Sequence, residues 1–342
     1  MKKIVKIGLT LLCVLIVVAA ALGIYAYRVA NTGFAIDKEI SIQIDSTKDY
    51  DKLLADLKEK AKVESVDNFD LVAGLMQYKD NLRTGNYVIK PDMNIVDVIR
   101  NLRSGAQTPV RITFNNIRTK DDLCERLAEQ LMITADDLKR KLNDENFCES
   151  LGFTTQTIVA MFIPNTYEFY WDISLDKFLS RMNKEYVKFW TDDRKSKAAA
   201  IGLTPVEVST LAAIVEEECT YSDEYPIVAG LYLNRLKKGQ KLQADPTVKF
   251  AVGDFSLKRI LYAHLEVDSP YNTYKYEGLP PGPIRVPSIK GIDGVLNYTK
   301  HDYLYMCAKE DFSGYHNFAK TLAQHNINAA KYRAELNRRG IR

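Results

Sequence analysis

Three carboxylates stand side by side at Glu216, Glu217 and Glu218, directly after the apolar residues 211–215. A glutamate taken out of water holds its proton more tightly, because burial disfavours the charged form. A general acid working near neutral pH needs its pKa moved from ~4.3 toward about 6 to 7. Which of the three could be moved depends on the phase of the helix that carries them. Thr204, Pro205, Val206 and Glu207 read as a capping box with proline at the first helical position, so the spacing predicts a helix beginning at Pro205. At about 100° per residue, Val208, Leu211, Ile214, Val215 and Cys219 share one face, and Glu218 falls inside it, four residues from Ile214 and seven from Leu211. Glu217 follows Thr210 and Ala213 on the opposite face and reads as a solvated charge, while Glu216 lies at the stripe's edge. Glu218 is therefore the candidate acid. The bland alternative is a helix-end carboxylate reaching solvent or an arginine such as Arg235.

Downstream lie two stretches rich in polar and aromatic groups, residues 232–253 and 269–288. The second stretch holds five prolines, two glycines, three tyrosines and an asparagine in twenty residues. A stiff loop with aromatic faces and hydrogen-bonding tips suits a sugar ring, which has apolar faces and a rim of hydroxyls. A proline-stiffened connection is the plain reading. Residues 162–171 (FIPNTYEFYW) are dense in aromatics; taken alone they read as core rather than as a stacking surface. Other chemistry finds little support. There is no P-loop, GxGxxG, GxSxG or HExxH pattern. His316 and His325, nine residues apart, could converge at a metal, though a structural or substrate-contacting role fits them better. Cys219 has no histidine near it in sequence to activate it as a nucleophile.

The elements that must position these groups follow from periodicity. Residues 39–44 and 85–89 alternate as strands, and residues 50–61, 68–78 and the stretch through Ile95, Val98, Ile99 and Leu102 carry helical stripes, with Gly105 placed as a C-cap. Together they form a small α+β unit over residues 36–107. A strand at 110–114 opens a second region, with helices at 120–142 and 175–189 and a charged, solvated connection at 192–197.

The chain has 342 residues, enough for two or three folded units. Its 47 Lys and Arg against 44 Asp and Glu leave a net charge of +3, which lacks the basic field of a nucleic-acid binder. Residues 7–27 contain no charge and follow Lys2, Lys3 and Lys6. About 20 apolar residues cross a bilayer as a helix, so an anchor is expected, with a cleaved signal as the alternative. Three lysines before the span against Arg28 after it place residues 1–6 in the cytoplasm and the rest outside. Of the exported cysteines, Cys124, Cys148, Cys219 and Cys307, none has metal-site spacing; free thiols are expected, with a Cys124 to Cys148 bridge left open.

In this order the anchor, GNYVIKPDMNIVDVIRNLRSG, FIPNTYEF, IVEEE, VAGLYLNRL, LQADPTV, SPYNTYKYEGLPPGPI and HNFAKTLAQHN resemble the endolytic murein transglycosylases, the YceG-like family. The resemblance covers nearly the whole chain. It implies an α+β protein: a transmembrane helix at 7–27, a small LysM-like α+β module at 36–107, and a larger mixed α/β catalytic domain at 110–342. It implies a lytic transglycosylase of the inner (cytoplasmic) membrane, working outside the cell on peptidoglycan glycan strands, with cell-wall synthases as possible partners and with no cofactor, metal or nucleic acid. The bond cut would be the MurNAc to GlcNAc β-1,4 linkage, leaving a 1,6-anhydro end without consuming water. The family's catalytic glutamate falls on Glu218, the residue the helical wheel selects. Asn234, Gln243, Asp245, Tyr271, Asn272, Tyr274, Tyr167, Glu168 and His316 are the expected substrate-binding residues. Asn165 stands where many relatives carry Asp, and Glu217 where a lysine is common. Two other readings stay open: a non-catalytic glycan-binding scaffold, and a two-carboxylate hydrolase with Asp245 or Glu168 as partner to Glu218.

Overall fold

In a computed structural model, residues 2–257 and 259–340 are described. Helix α1 spans Lys2–Ala30. Its stretch Lys6–Ala30 is long and apolar enough to cross a membrane, with none of its apolar window buried in the protein. At ~1.5 Å per residue those 25 residues extend about 37 Å, against a hydrocarbon core of about 30 Å.

The chain divides into two compact units, the first comprising Met1–Ile112, Gln130–Met132 and Glu168–Ile173. In it, β1 (Ile40–Ile44) is followed by α2 (Tyr50–Glu59), α3 (Val66–Leu75), β2 (Gly85–Ile89) and α4 (Ile95–Ser104). β1 and β2 pair antiparallel, from Ile40 opposite Ile89 to Ile44 opposite Gly85. The inward side chains Ile42, Ile44, Tyr87 and Ile89 pack with Leu57 of α2, Phe69 of α3 and Ile99 of α4. Alternation on the strands and three- to four-residue spacing on the helices therefore meet in one core. Asp49, Ser65 and Asn94 cap the three helices through their side chains. Gly105 adopts φ 74° and closes α4 onto Asn101 and Leu102 carbonyls, the left-handed cap that glycine favours. Helix α3 begins before the expected Asn68 because Ser65 takes the Asn68 N–H. The unit also reaches beyond residues 36–107: Asp172 accepts hydrogen bonds from Thr84 Oγ1 (2.6 Å) and Gln107 Nε2 (3.1 Å).

The second unit is Thr113–Glu129, Ile133–Tyr167 and Ser174–Arg342. Strand β3 (Val110–Thr113) straddles the division, and α5 (Lys120–Ala128), α6 (Ala135–Leu142) and α7 (Glu145–Ser150) follow. The single helix expected over 120–142 is thus two, because Thr134 caps a new start by accepting from Asp137 N. Strand β4 (Thr166–Phe169) leads to α8 (Leu175–Phe189), matching its expected bounds, and α9 (Asp192–Ala200). The charged connection expected at 192–197 is part of that helix. Asp192 and Asp193 lie in its first turn and Lys197 in its last, which suits the helix dipole, and Arg194 reaches Asp293 at 3.1 Å.

Then come α10 (Pro205–Glu218), α11 (Tyr225–Lys237), α12 (Asp245–Val252), α13 (Tyr262–Leu265), α14 (Ile289–Leu296), the hairpin β5 (Tyr305–Ala308) and β6 (His316–Ala319), and α15 (Leu322–Arg338). The capping box at Thr204 is present and Pro205 opens α10. Every residue of α10 from Val208 to Glu216 is buried; the helix lies in the middle of the core with α11 and α14 packed on it. Gly291 of α14 permits one such approach, since a Cβ there would collide with the Glu216 carboxylate. All five cysteines are free, and no Cys124 to Cys148 bridge forms; Cys124, Cys148 and Cys219 are buried, Cys148 with its Sγ 3.6 Å from the Leu142 carbonyl.

Candidate active-site cleft

Glu218 is the last residue of α10, so its side chain leaves the core just where the helix stops. It lines an open cleft of about 340 Å³ with Tyr232, Arg235, Gln243, Asp245, Tyr274, the strand Tyr305 to Ala308, His316 and His325. Tyr232, from the buried face of α11, donates its hydroxyl to Glu218 Oε1 at 2.9 Å. Burial pushes the Glu218 pKa up to about 7, with the charges of Asp245 and Glu217 acting the same way; the Tyr232 hydrogen bond and Lys249 oppose it. A half-buried carboxyl that holds its proton to neutrality can give it to a leaving oxygen.

The other two acids sit differently from expectation. Glu216 is the most buried, 7 % exposed, and receives both the backbone N–H of Ser288 (2.8 Å) and its hydroxyl. Burial raises its proton affinity while Ser288 and Arg285 hold it down. Glu217 is not a free solvated charge: Arg285 Nη1 binds it at 2.7 Å and Arg118 Nη2 at 3.5 Å. The wheel assumed one apolar face, but α10 is enclosed on all sides, so phase alone did not rank burial.

Asp245 opens α12, and its Oδ1 accepts from the Tyr274 hydroxyl at 2.6 Å. The pair is held by threonines behind it: Thr273 Oγ1 accepts from Ala244 N (3.0 Å) and meets Thr247 Oγ1 (2.8 Å). Gln243 adopts φ 53°, a left-handed conformation costing about 1–3 kcal/mol in a non-glycine residue. It is fixed there by its N–H on Thr273 O and by the Arg235 guanidinium on its Oε1. Arg235 also donates to the Lys241 and Leu304 carbonyls and makes no bond to Glu218. His316, at the start of β6, meets the buried Glu224 through Nδ1 at 2.9 Å and through its backbone N–H at 3.0 Å. His325 stacks on Tyr305; burial, then Arg235 and Arg333, lower its pKa.

Of the residues expected from sequence, the cleft therefore gathers Glu218, Gln243, Asp245, Tyr274 and His316. The remainder lie outside its lining. Asn234 turns its amide to the His301 and Tyr303 carbonyls at 2.7 and 3.1 Å. Asn272 is fully buried, donating to Leu265 O and Val267 O and taking the Tyr274 N–H; it shapes the turn that presents Tyr274. Tyr271 packs on Phe250. Tyr167 is core, stacked on Phe114 with its hydroxyl on Ile163 O. Glu168 is exposed and groups with the first unit.

The Cys219 thiol is pushed well up by burial and by Glu224, Glu218 and Asp223, which keeps it inert as a nucleophile. Among the described residues no group of three or more His, Cys, Asp or Glu is placed to hold a metal ion. Tyr232, Glu224 and β5 were missed from sequence. Tyr232 sits in the quoted VAGLYLNRL stretch, but only the three-dimensional crossing of α10 and α11 aims it at Glu218.

The fold is mixed α+β, with an open polar cleft built around one proton-holding glutamate. The chain belongs to the YceG-like family, whose model matches residues 42–331. A relative from Bacillus subtilis (strain 168) named endolytic murein transglycosylase, a lytic transglycosylase, is 30% identical over 319 residues, covering 87% of this chain and 86% of that one. One of the same name from Streptococcus pneumoniae serotype 2 is 27% identical over 77% of this chain and 53% of its own length. Among solved structures, a putative yceG-like protein from Listeria monocytogenes is similar with a TM-score of 0.59 at 27% identity, covering 85% of this chain and 99% of that one.

Proposed function

We propose that this chain is an endolytic murein transglycosylase that cuts the MurNAc to GlcNAc β-1,4 bond of peptidoglycan strands and leaves 1,6-anhydro ends, with Glu218 as its single acid and base. The observation that carries this reading is Glu218 itself: a carboxyl with a pKa near 7, in a cleft open enough for a strand, in a chain whose relatives bear that name. Protonated Glu218 gives its proton to the glycosidic oxygen as the bond from the muramoyl C1 breaks. The resulting carboxylate then takes the proton of the muramic C6 hydroxyl as that oxygen bonds to C1. The proton count closes on one residue and no water is used. Tyr232 occupies one carboxyl oxygen of Glu218 and leaves the other for the substrate. Asp245, held by Tyr274, supplies negative charge near the positive charge that develops at C1.

The apolar α1 fits a single-pass anchor in the cytoplasmic membrane, with both units outside by the lysine asymmetry. The first unit suits the role of a LysM-like wall-contacting module. Cell-wall synthases are the partners such a position would bring within reach. A second reading has one observation in its favour: Asp245 faces the same cleft as Glu218, as a two-carboxylate hydrolase requires. The site assignment is tested by digesting isolated glycan strands with the wild-type chain, Glu218→Gln and Glu216→Gln. Glu218→Gln is expected to lose about 10²- to 10⁴-fold in rate while retaining its fold. Cutting by Glu218→Gln together with its loss in folded Glu216→Gln would refute the assignment.

A further inference from the structure

Beyond Glu218 and Asp245 the cleft continues into a second, larger arm of about 850 Å³, lined among others by Glu217, Lys249, Arg259, Tyr332 and Arg333. Its charge balance is positive, three cations against the carboxylate of Asp245, whose Oδ1 accepts from Tyr274. Glu217 is already bound by Arg285 and Arg118, and Glu218 holds its proton near neutrality. The side chains of Lys249, Arg259 and Arg333 enter none of the salt bridges or hydrogen bonds found among the described residues. At the C-terminal end of the helix that carries Arg333, Arg338 and Arg339 are instead bound to Glu335 at 2.5 and 2.7 Å. The three cations come from α12, the segment before α13, and α15, so separate elements direct positive charge into one arm. The first arm carries tyrosines, histidines and a strand edge in the corresponding place.

A glycan backbone is uncharged, and the anionic groups of a peptidoglycan strand are the carboxylates of the peptides it bears. Resting on the proposed function, we infer that this second arm is a subsite for stem-peptide carboxylates, so that the enzyme distinguishes strands with free carboxylates from strands whose carboxylates are amidated. Lys249 lies nearest the reacting acid, since its charge is felt by Glu218; Arg259 and Arg333 hold the outer part. Exposed charge pairs contribute little singly, and two or three together give about a 3- to 10-fold preference at low salt, diminishing as salt screens them.

The test measures binding and needs no cleavage. Full-length Glu218→Gln protein in detergent is titrated with a peptide-bearing tetrasaccharide in its free-carboxylate form, and with the same compound after conversion of its carboxylates to amides. The free form is expected to bind about 3- to 10-fold more tightly at low salt and equally at high salt. Adding Arg259→Gln and Arg333→Gln is expected to reduce binding of the free form to the amide level and to leave the amide form unchanged. Equal affinity for the two forms at low salt, which needs no further variant, would overturn the inference. So would a double variant that weakens both forms alike. Discrimination in binding by a wild-type chain that fails to cut strands would refute the function and leave the subsite standing; cutting without discrimination would do the reverse.

Discussion

At the scale of residues, three neighbouring glutamates receive three different fates from their surroundings. Glu216 is taken up by the N–H and hydroxyl of Ser288, Glu217 by two arginines, and Glu218 is left in a cleft with one tyrosine. The sequence made Glu218 the candidate, but for a reason only partly right: it is the helix end and the cleft, not a private apolar stripe, that set it apart. Tyr274 was legible as a polar tip on a proline-stiffened loop and Asp245 and Gln243 came from the family resemblance, whereas Asn234 and Asn272 were not separable from them, because an asparagine that bonds substrate and one that bonds carbonyls look alike in a sequence. The pKa of Glu218 near 7 has two consequences. As the proposed general acid it must be protonated, so kcat/KM should fall tenfold per pH unit above about 7. Because the folded state binds this proton more tightly than the unfolded chain, Glu218's contribution to stability should decline as pH rises from about 4.5 to about 7. Tyr232→Phe removes the hydrogen bond that favours the carboxylate, and the alkaline limb of the pH profile should move upward; a limb that stays put or moves down would separate Tyr232 from the proton-holding role.

Among the elements, α10 is the one on which the site depends. Its start was readable from the capping box and Pro205, as were α8, β2 and the Gly105 cap, since each rests on local chemistry. The break at Thr134 and the helix α9 were not readable in the same way. Thr134 becomes a cap only by bonding Asp137 N, and a charged segment like 192–197 is helix or solvated loop according to what it packs on, here through Arg194 to Phe189 and Asp293. Helix α14 approaches α10 at Gly291, where a Cβ would collide with Glu216. Gly291→Ala should therefore destabilise the second unit by about 1–3 kcal/mol, the usual cost of overpacking, and chemical denaturation would register it as a lower midpoint with an unchanged slope. An unaltered midpoint would mean that α14 can shift freely and that the packing does not position Glu218.

For the whole molecule, an apolar first helix, a small α+β unit and a larger region carrying the candidate acid were legible beforehand, but not that residues 130–132 and 168–173 return to the first unit. Such returns follow from long-range bonds like that of Asp172 with Thr84, which have no local signature. Val29 and Thr32 are buried in the first unit, so a deletion ending at residue 27 removes the apolar span and leaves that core intact. The shortened protein should appear in the soluble fraction, folded and able to cut strands, while the full chain should stay with membranes through high-salt washing; a soluble full chain would contradict the anchor. The central claim is that one acid completes the reaction without water. The most direct measurement is the mass of the new glycan ends released from isolated peptidoglycan by the wild-type chain. Ends lighter than a reducing end by one water, absent with Glu218→Gln, are the predicted result; reducing ends from the wild-type chain would contradict the account and make Asp245 the second carboxylate of a hydrolase.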